Sequence, residues 1–306
     1  MDFRQSLLEQ MEKAGVHIEG QINWYVQEVQ RFRVKNHWKR GKPVFVFLHT
    51  GGASFGDWRE PTTWKTWWEK SWRELSKQES LARKQELELL EHQKMLVRNH
   101  AIDRARDLLN HRSWRGITCI EATLENIYVK NKRIIPYYAK QIRSSLVLPI
   151  TDVNKMLQSI QFIKPNGRKQ FKKNTTFKNG MMYLSEEIRP NDIIRICEGY
   201  ATSCSVYETV GPPVVCAFNA DNLINVAREL RIKYPLNQIH ICGDNDQFKK
   251  ENSGLKFALA AAKNCDGKVF IPNFKDFDVS GKPTDWNDLF CLAGIEEVER
   301  QLLNIK

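Results

Sequence analysis

The stretch IHICGDND, residues 239–246, runs from an apolar segment into two aspartates that are separated by one residue. A short continuous apolar run is typical of a strand in a parallel sheet that is covered on both faces. Side chains at positions i and i+2 of an extended segment point to the same side, so Asp244 and Asp246 can face one ion. The stretch therefore predicts a buried strand that ends either in a pair of metal ligands or in an ordinary polar turn.

Further apolar runs alternate with helical patterns on both sides of this stretch. The runs are IIRIC at 193–197, PVVCAF at 213–218 and KVFIP at 268–272, and the helical patterns are YATSCSVYETV, NLINVARELRIKY and SGLKFALAAAKN. This alternation predicts a doubly wound α/β domain with a parallel sheet over residues 191–306. Ligands of such folds bind outside the carboxyl ends of the strands.

Acidic residues follow two of these predicted strands. Glu198 comes directly after IIRIC, and Asp244 and Asp246 come after IHIC. Because the carboxyl ends of parallel strands meet at one edge of a sheet, we predict that the three carboxylates share a site. Like charges at close range disfavour one another's ionised form unless a cation lies between them, and oxygen ligands without His or Cys favour Mg²⁺ or Mn²⁺. Such a site suits phosphoryl or nucleotidyl transfer.

A later acidic cluster lies in TDWNDL, residues 284–289. Thr284 or Asp285 can cap the helix that follows, since acids are favoured in the first turn of a helix. A helix N-terminus is also a place where anionic ligands bind. Asp285 and Asp288 are therefore predicted to cap a helix, to belong to a functional site, or to do both.

The region before residue 191 divides into three predicted parts. Residues 1–64 read as a small α+β domain, 65–113 as a long helix or helical hairpin that acts as a linker, and 114–190 as a basic β-rich subdomain. Trp64, Trp67, Trp68 and Trp72 have the spacing of one helix face, which is typical of core, with a stacking platform for bases as the alternative. A hairpin is predicted around Asn166-Gly167, and the segment 164–178 carries six basic residues and no acid. Such a segment is suited to binding nucleotide phosphates or the backbone of a template strand. The alternative is an ordinary solvated edge of a sheet.

Composition narrows the class of protein. The 306 residues carry a formal net charge of +11, and the pI is about 9.3, which favours a polyanionic partner such as nucleic acid. The seven cysteines show no C-x-x-C pair, which argues against a zinc ribbon and a disulfide framework. The sequence shows no signal peptide and no apolar run long enough to span a bilayer, so we expect a cytoplasmic protein without membrane contact.

Several of these segments together resemble a known family. ICEGYATS, VVCAFNADNL, IHICGDND and TDWNDL resemble the Toprim domain, in the form carried by primases of conjugative plasmids and phages. FGDWRE at 55–60, RGIT at 115–118 and LQSIQFIKPNGRKQF at 157–171 resemble segments that precede this domain in those proteins. The resemblance implies an α+β N-terminal region followed by an α/β Toprim domain with a Rossmann-like parallel sheet. It also implies synthesis of short RNA primers on single-stranded DNA from nucleoside triphosphates.

The resemblance also implies roles for individual residues. Glu198 matches the Toprim glutamate, a general acid/base that helps to hold metal, while Asp244 and Asp246 match the metal-binding pair; all three are predicted catalytic residues. Asp285 and Asp288 match a later acidic motif and are predicted as further metal ligands. The residues expected to bind nucleotide or DNA are Arg168, Lys169, Lys172, Lys173 and Asn222. The implied cofactor is Mg²⁺ or Mn²⁺.

The chain departs from the replication primases of this family at two positions and in one domain. Thr202 stands where they carry an acid, Asp221 stands where relatives often have glycine, and no cysteine spacing fits their zinc ribbon. TGGASFGD at 50–57 lacks the GK[ST] of a phosphate-binding loop, so a helicase would be a separate partner. A Toprim nuclease and an inactive single-stranded DNA-binding replication protein remain the alternatives, because hydrolysis and polymerisation use the same acids.

Overall fold

The computed structural model describes residues 2–26, 28–34, 43–49, 51–57, 60–69, 76–110 and 118–303. The chain divides into two compact units, Met1–Lys94 and Met95–Lys306. The motifs FGDWRE and RGIT lie partly outside the described residues, and Trp72 lies wholly outside them.

The first unit is built on an antiparallel sheet in the order β1-β2-β3-β4-β5. Its elements are α1 Phe3–Lys13, β1 Ile18–Glu19, β2 Gln30–Val34, β3 Val44–His49, β4 Gly52–Asp57 and β5 Glu60–Trp68. Val44, Val46 and Leu48 alternate with less buried residues along β3 and pack with Leu7 and Met11 of α1. The predicted α+β character of the N-terminal region is therefore confirmed.

The predicted helical tryptophan stripe is wrong for its described members. Trp64, Trp67 and Trp68 lie in β5, and Trp67 packs on the core that α1 covers. Threonine and tryptophan, which dominate TTWKTWW, fit a pleated half-buried surface, and pairing with β4 overrides the helical spacing. The predicted long helix does exist, but it starts later, as α2 Lys77–Leu109.

The second unit contains two sheets, and the first of them along the chain is antiparallel, in the order β10-β9-β8-β7-β6. Its elements are β6 Ile120–Glu121, α3 Ile127–Lys132, β7 Lys140–Ile142, β8 Ser145–Thr151, β9 Leu157–Ile163 and β10 Lys169–Phe171. The predicted hairpin around Asn166-Gly167 is confirmed: it joins β9 to β10, and Gly167 has a φ of +80°, which suits glycine.

The third sheet has the order β11-β13-β12-β14-β15. Its strands are β11 Met182–Tyr183, β12 Ile193–Cys197, β13 Val214–Cys216, β14 Gln238–Cys242 and β15 Lys268–Phe270. The pairs β12–β13, β12–β14 and β14–β15 are parallel, as predicted, whereas β11 adds an antiparallel edge that the sequence patterns did not indicate. The helices are α4 Tyr200–Val210, α5 Asn222–Lys233, α6 Ser253–Cys265, α7 Trp286–Ala293 and α8 Ile295–Leu302.

Both faces of this parallel sheet are covered. Ile194 and Ile196 of β12 pack in one core with residues of α5 and α6, such as Leu223 and Ala258. Cys197 packs on the opposite face in a core that includes α4, α7 and α8. The continuous apolar runs of the strands follow from burial on both sides. All seven cysteines are free and six are buried, as expected for small buried apolar residues.

One core joins the antiparallel sheet of the second unit to the parallel sheet. Leu148 of β8 and Leu184 belong to the same buried cluster as Tyr200 of α4 and Trp286 of α7. The hydrophobic core therefore continues across residue 190, where the composition of the sequence changes. Within the described ranges, no helix is both long and apolar enough to cross a membrane.

The continuous core leads to a stability prediction. Leu148 is fully buried, so Leu148→Ala should lower the free energy of unfolding by about 2–5 kcal/mol through lost burial and a cavity. Because the core is shared, amide hydrogen exchange should accelerate in α4 as well as in β8. The control is Leu292→Ala at a side chain that is 46% exposed, with an expected cost of about 0.5 kcal/mol or less. Unchanged protection of α4 in Leu148→Ala would show two independent cores.

Candidate active site

The acidic residues lie where the chain reverses its direction of winding through the parallel sheet. From β12 the chain passes to β13 on one side, and later returns to β14 on the other side of β12. The connecting helices α4 and α5 pack on opposite faces of the sheet. A crevice at the carboxyl ends of the strands results at such a reversal, and it is where ligands of doubly wound folds bind.

Strand pairing places Glu198 and Asp244 side by side at this crevice. Cys197, the last residue of β12, pairs in register with Cys242, the last residue of β14. Glu198 follows directly, and Asp244 lies two residues beyond Cys242. The sequence-based prediction that these two strand ends share one edge is confirmed by this pairing.

The charges at the crevice act on one another. Burial raises the pKa of Glu198, the Lys169 ammonium opposes this increase, and the Asp246 carboxylate adds to it. Burial and the carboxylates of Glu198 and Asp285 raise the pKa of Asp244 well above the ordinary value of an aspartate. Two carboxyl groups therefore lie in an environment that disfavours their ionised forms.

Asp244 has the feature that best fits a bound cation. Its Oδ1 atom is buried and accepts no hydrogen bond. A buried carboxylate oxygen without a donor is costly, and a bound cation is a natural partner for it. The oxygen-only donor set around it, from Glu198, Asp246 and Asp285, suits Mg²⁺ or Mn²⁺. The residues present therefore fit the implied metal.

Asp246 is held by the N-terminus of α6. Its Oδ2 accepts hydrogen bonds from Ser253 Oγ at 2.5 Å and from the Gly254 amide at 3.0 Å. Lys249 Nζ lies 2.9 Å from its Oδ1. Burial alone would raise the pKa of Asp246, but these donors outweigh burial and lower it. Asp246 therefore carries a stable negative charge, in contrast to Asp244.

Two glycines allow the acidic loop to lie against α6. A Cβ atom on Gly254 would come within 2.3 Å of the Asp244 carbonyl oxygen, and one on Gly243 within 2.5 Å of the Ala258 Cβ. Asn245 points away. Its side-chain Nδ2 donates to the Pro272 carbonyl oxygen, and its backbone N–H donates to the Thr284 carbonyl oxygen at 2.6 Å. The loop is thus anchored to α6 and to the segment that starts α7.

Asp285 and Asp288 form a capping box at the start of α7. The Asp285 carboxylate accepts from the Asp288 amide at 2.8 Å, and Asp288 Oδ2 accepts from the amides of Thr284 and Asp285. Asp288 Oδ1 lies 3.3 Å from Lys132 Nζ. The helix-cap reading is confirmed, while the charge of Asp285 still acts on Glu198 and Asp244. Metal binding by this pair stays a prediction.

Of the predicted basic residues, Lys169 reaches the acids. It lies on β10, and its Nζ would be 3.6 Å from a Cβ atom on Gly199, beside Glu198. Its charge lowers the pKa of both Glu198 and Asp244 against the effect of burial. Lys172 lies instead near Arg104 of α2, where burial and the guanidinium lower its pKa. Arg168 and Lys173 are exposed beside β10.

Asn222 has a different environment from the one predicted. Its Nδ2 donates to the carbonyl oxygens of Gly180 and Ala217, both at 2.8 Å, and its Oδ1 accepts from the Asn179 amide at 3.0 Å. The side chain is 2% exposed. Asn222 fastens the start of α5 to the loop before β11, so its predicted nucleotide-binding role gains no support from these contacts.

The five acids do not form a complete ligand cage. Across the described ranges, no group of three or more His, Cys, Asp or Glu side chains is arranged to hold a metal ion. The reason is that Asp246 and Asp288 point to helix N-termini and lysines. Mg²⁺ needs only one or two protein carboxylates beside water and substrate phosphate, so an incomplete cage is compatible with it.

The sequence patterns missed three side chains that position the acids. Lys249 and Ser253 bind Asp246, and Lys132 binds Asp288. Lys249 lies three residues after Asp246, and Asn252-Ser253 before an apolar periodic run is a helix-start signal that places a polar N-terminus near the acids. Lys132 is 156 positions from its partner, and no local pattern predicts such a contact.

The raised pKa of Asp244 leads to a second prediction. Because the pKa of Asp244 is raised in the folded state, folding above about pH 4, the ordinary pKa of an aspartate, requires either uptake of a proton or an ionised carboxylate in an unfavourable site. Asp244→Asn should therefore raise the melting temperature at pH 8 in a chelator, and the gain should shrink as the pH falls towards 4. Thermal unfolding over this pH range measures both effects. The matched control is Asp276→Asn at an exposed carboxylate, and a lower melting temperature for Asp244→Asn at pH 8 would contradict the assignment.

Comparisons with known proteins give sequence matches in the region of the parallel sheet. Residues 193–296 match a family model described as the Toprim domain. Over 134 residues, the chain is 33% identical to a DNA primase TraC of Escherichia coli and 32% identical to a second protein of that name and species. The matches cover 42% of this chain but only 9% and 12% of the two relatives, so the chain corresponds to a small part of their length.

Among solved structures, the primase fragment of the bacteriophage T7 primase-helicase protein aligns at 14% identity and a TM-score of 0.47, covering 62% of this chain and 77% of that one. The Aquifex aeolicus primase, with its zinc-binding and RNA polymerase domains, aligns at 13% identity and a TM-score of 0.42, covering 99% of this chain and 83% of that one. The family match and the arrangement of the parallel sheet coincide in one region of the chain. Residues 193–296 are therefore similar to the Toprim domain.

Proposed function

We propose that this protein is a DNA primase, which synthesises short RNA primers on single-stranded DNA by metal-dependent nucleotidyl transfer. The observation that carries the proposal is the pair of neighbouring strand ends that brings Glu198 beside Asp244, whose buried Oδ1 lacks a donor. The similarity of the same region to DNA primase TraC supports polymerisation as the reaction.

Glu198, Asp244 and Asp246 would hold a divalent cation, with Asp285 close enough to add its charge. The chemistry that Mg²⁺ or Mn²⁺ supplies at such a site is neutralisation of phosphate charge and activation of the attacking oxygen. Asp246 remains ionised because Ser253, Gly254 and Lys249 donate to it, so it offers a permanent negative charge. Asp244 offers an open oxygen atom.

Glu198 is suited to proton transfer. Burial raises its pKa, and a base is most effective when its pKa lies closer to the working pH. We assign Glu198 to accept the proton of the attacking 3′-hydroxyl. Lys169 lies beside Gly199, where its charge acts on Glu198, and would bind the phosphates of the incoming nucleoside triphosphate or of the template.

The remaining basic residues of β10 and its surroundings would bind the backbone of the template. Arg168 and Lys173 are exposed there and carry no assigned role in packing. As a primase, the protein would work in the cytoplasm, and its ligands would be single-stranded DNA and nucleoside triphosphates. A helicase on another chain is the expected partner.

Primer synthesis by variants tests the proposal. The full chain is incubated with a single-stranded template, labelled nucleoside triphosphates and Mg²⁺ or Mn²⁺, and the products are separated by size. Asp244→Asn and Glu198→Gln should each lower the rate of primer synthesis by roughly 100-fold or more, the range expected when a general base or a charged stabilising group is removed. Their affinity for single-stranded DNA should change less than two-fold.

Asp276→Asn is the matched control, because it removes an exposed carboxylate in the same unit. Its primer yield should equal that of the wild type. Normal primer yield from Asp244→Asn would contradict the site assignment. Shortening of the template without primer synthesis would identify a nuclease, and no reaction with either metal would identify a binding protein.

A further inference from the structure

Lys249 lies in the loop that joins β14 to α6, and its side chain contacts the acidic crevice. Its Nζ lies 2.9 Å from Asp246 Oδ1. Its backbone N–H donates to the Asp246 carbonyl oxygen at 3.0 Å, so main chain and side chain both bind the same residue. The loop returns to Asp246 at Asn252, whose Oδ1 accepts from the Asp246 amide at 2.9 Å. The turn that carries Lys249 therefore holds its ammonium beside the acids.

The two carboxylate oxygen atoms of Asp246 have different partners. Oδ2 accepts from Ser253 Oγ and from the Gly254 amide at the N-terminus of α6, whereas Oδ1 binds the Lys249 ammonium. An oxygen that two donors of a helix already hold is a poor metal ligand, so a divalent cation would bind Oδ1 of Asp246. Two cations at one oxygen atom repel each other. The ammonium of Lys249 and a metal would therefore compete for Oδ1.

The charge of Lys249 acts on the crevice as a whole. The hydrogen bond to Asp246 raises the pKa of the ammonium most, and the carboxylates of Glu198 and Asp244 add to this increase. Burial raises the pKa of Glu198, and the charges of Lys169 and Lys249 oppose that increase. Lys249 thus supplies positive charge to the same acids that are predicted to hold the metal.

The side chain of Lys249 is suited to leaving Asp246 at little cost. It is 63% exposed, and ion pairs with such an exposed partner are weak. A lysine carries a compact charge with three donors on a flexible four-carbon stem. Because the turn at Asp246 holds the main chain, a displaced ammonium would stay at the edge of the crevice. There it could form charge-assisted hydrogen bonds to phosphate oxygens.

We propose that Lys249 is an internal counter-cation of the acidic crevice, which a divalent metal displaces from Asp246 Oδ1. The displaced ammonium then contacts the phosphates of the incoming nucleoside triphosphate. This inference rests on the proposed function and adds a positioning residue to it. Lys249 hinders metal binding when nucleotide is absent and favours nucleotide binding once the metal is in place.

The first test is titration of the full chain with Mn²⁺, without nucleotide or DNA, followed by electron paramagnetic resonance of free Mn²⁺. Lys249→Gln should bind Mn²⁺ at least about three-fold more tightly, because a competing ion pair is removed. A purely structural role predicts the opposite sign, since a loosened Asp246 would bind Mn²⁺ more weakly. The matched control is Lys250→Gln, which removes the same charge from the neighbouring exposed lysine. At about 0.15 M salt its Mn²⁺ affinity should stay within about two-fold of wild type.

The second test is equilibrium binding of a labelled nucleoside triphosphate at saturating Mn²⁺, without template. Lys249→Gln should bind the nucleotide about five-fold or more weakly, because a charged donor to phosphate is lost. One substitution therefore moves the two affinities in opposite directions. Lys249→Arg keeps the positive charge and should return both affinities to within about three-fold of wild type.

Each outcome decides the question. Unchanged or weaker Mn²⁺ binding by Lys249→Gln would overturn the proposal, and so would an unchanged affinity for the nucleoside triphosphate. Equal shifts in Lys250→Gln would show a general effect of surface charge and would also overturn it. Opposite shifts of the two affinities in a protein that makes no primers would sink primer synthesis but leave the exchange at Asp246 intact. Primer synthesis together with wild-type Mn²⁺ affinity in Lys249→Gln would do the reverse.

Discussion

Repulsion between carboxylates at the end of β12 and β14 is the constraint on which the candidate site depends. The pairing of Cys197 with Cys242 brings Glu198 and Asp244 together, and burial raises the pKa of both. A structure that tolerates this arrangement carries an energetic cost, which a divalent cation would remove. Burial of the sheet on both faces makes the arrangement rigid, because neither strand can shift without breaking two cores.

The helix α6 gives the two aspartates of GDND different properties. Its N-terminus donates to Asp246 and stabilises that charge, whereas Asp244 is packed against Gly254 with one oxygen left without a donor. Two residues with the same side chain, two positions apart, thus have pKa values that are shifted in opposite directions. An ionised anchor beside an open carboxylate is the arrangement on which the proposed metal site depends.

Much of this was predictable from sequence because the signals are local. Apolar runs that alternate with helical patterns predicted the parallel pairs, and the acids at strand ends predicted the shared edge. Long-range contacts were not predictable: β11 joins the sheet from before residue 190, Lys132 reaches Asp288, and one core spans both sheets of the second unit. The tryptophan spacing led to the wrong prediction of a helix because it fits a helix face, whereas pairing with β4 decides the conformation of β5.

Binding of Mn²⁺ in the absence of nucleotide and DNA tests the central claim most directly. Titration of the full chain, followed by electron paramagnetic resonance of free Mn²⁺, measures the affinity of the acidic crevice without reference to any reaction. We predict saturable binding to the wild type and to Asp276→Asn, and at least about ten-fold weaker binding to Asp244→Asn, which corresponds to about 1.4 kcal/mol. Equal Mn²⁺ affinity in wild type and Asp244→Asn would contradict the claim that the repulsion at the ends of β12 and β14 is relieved by a metal.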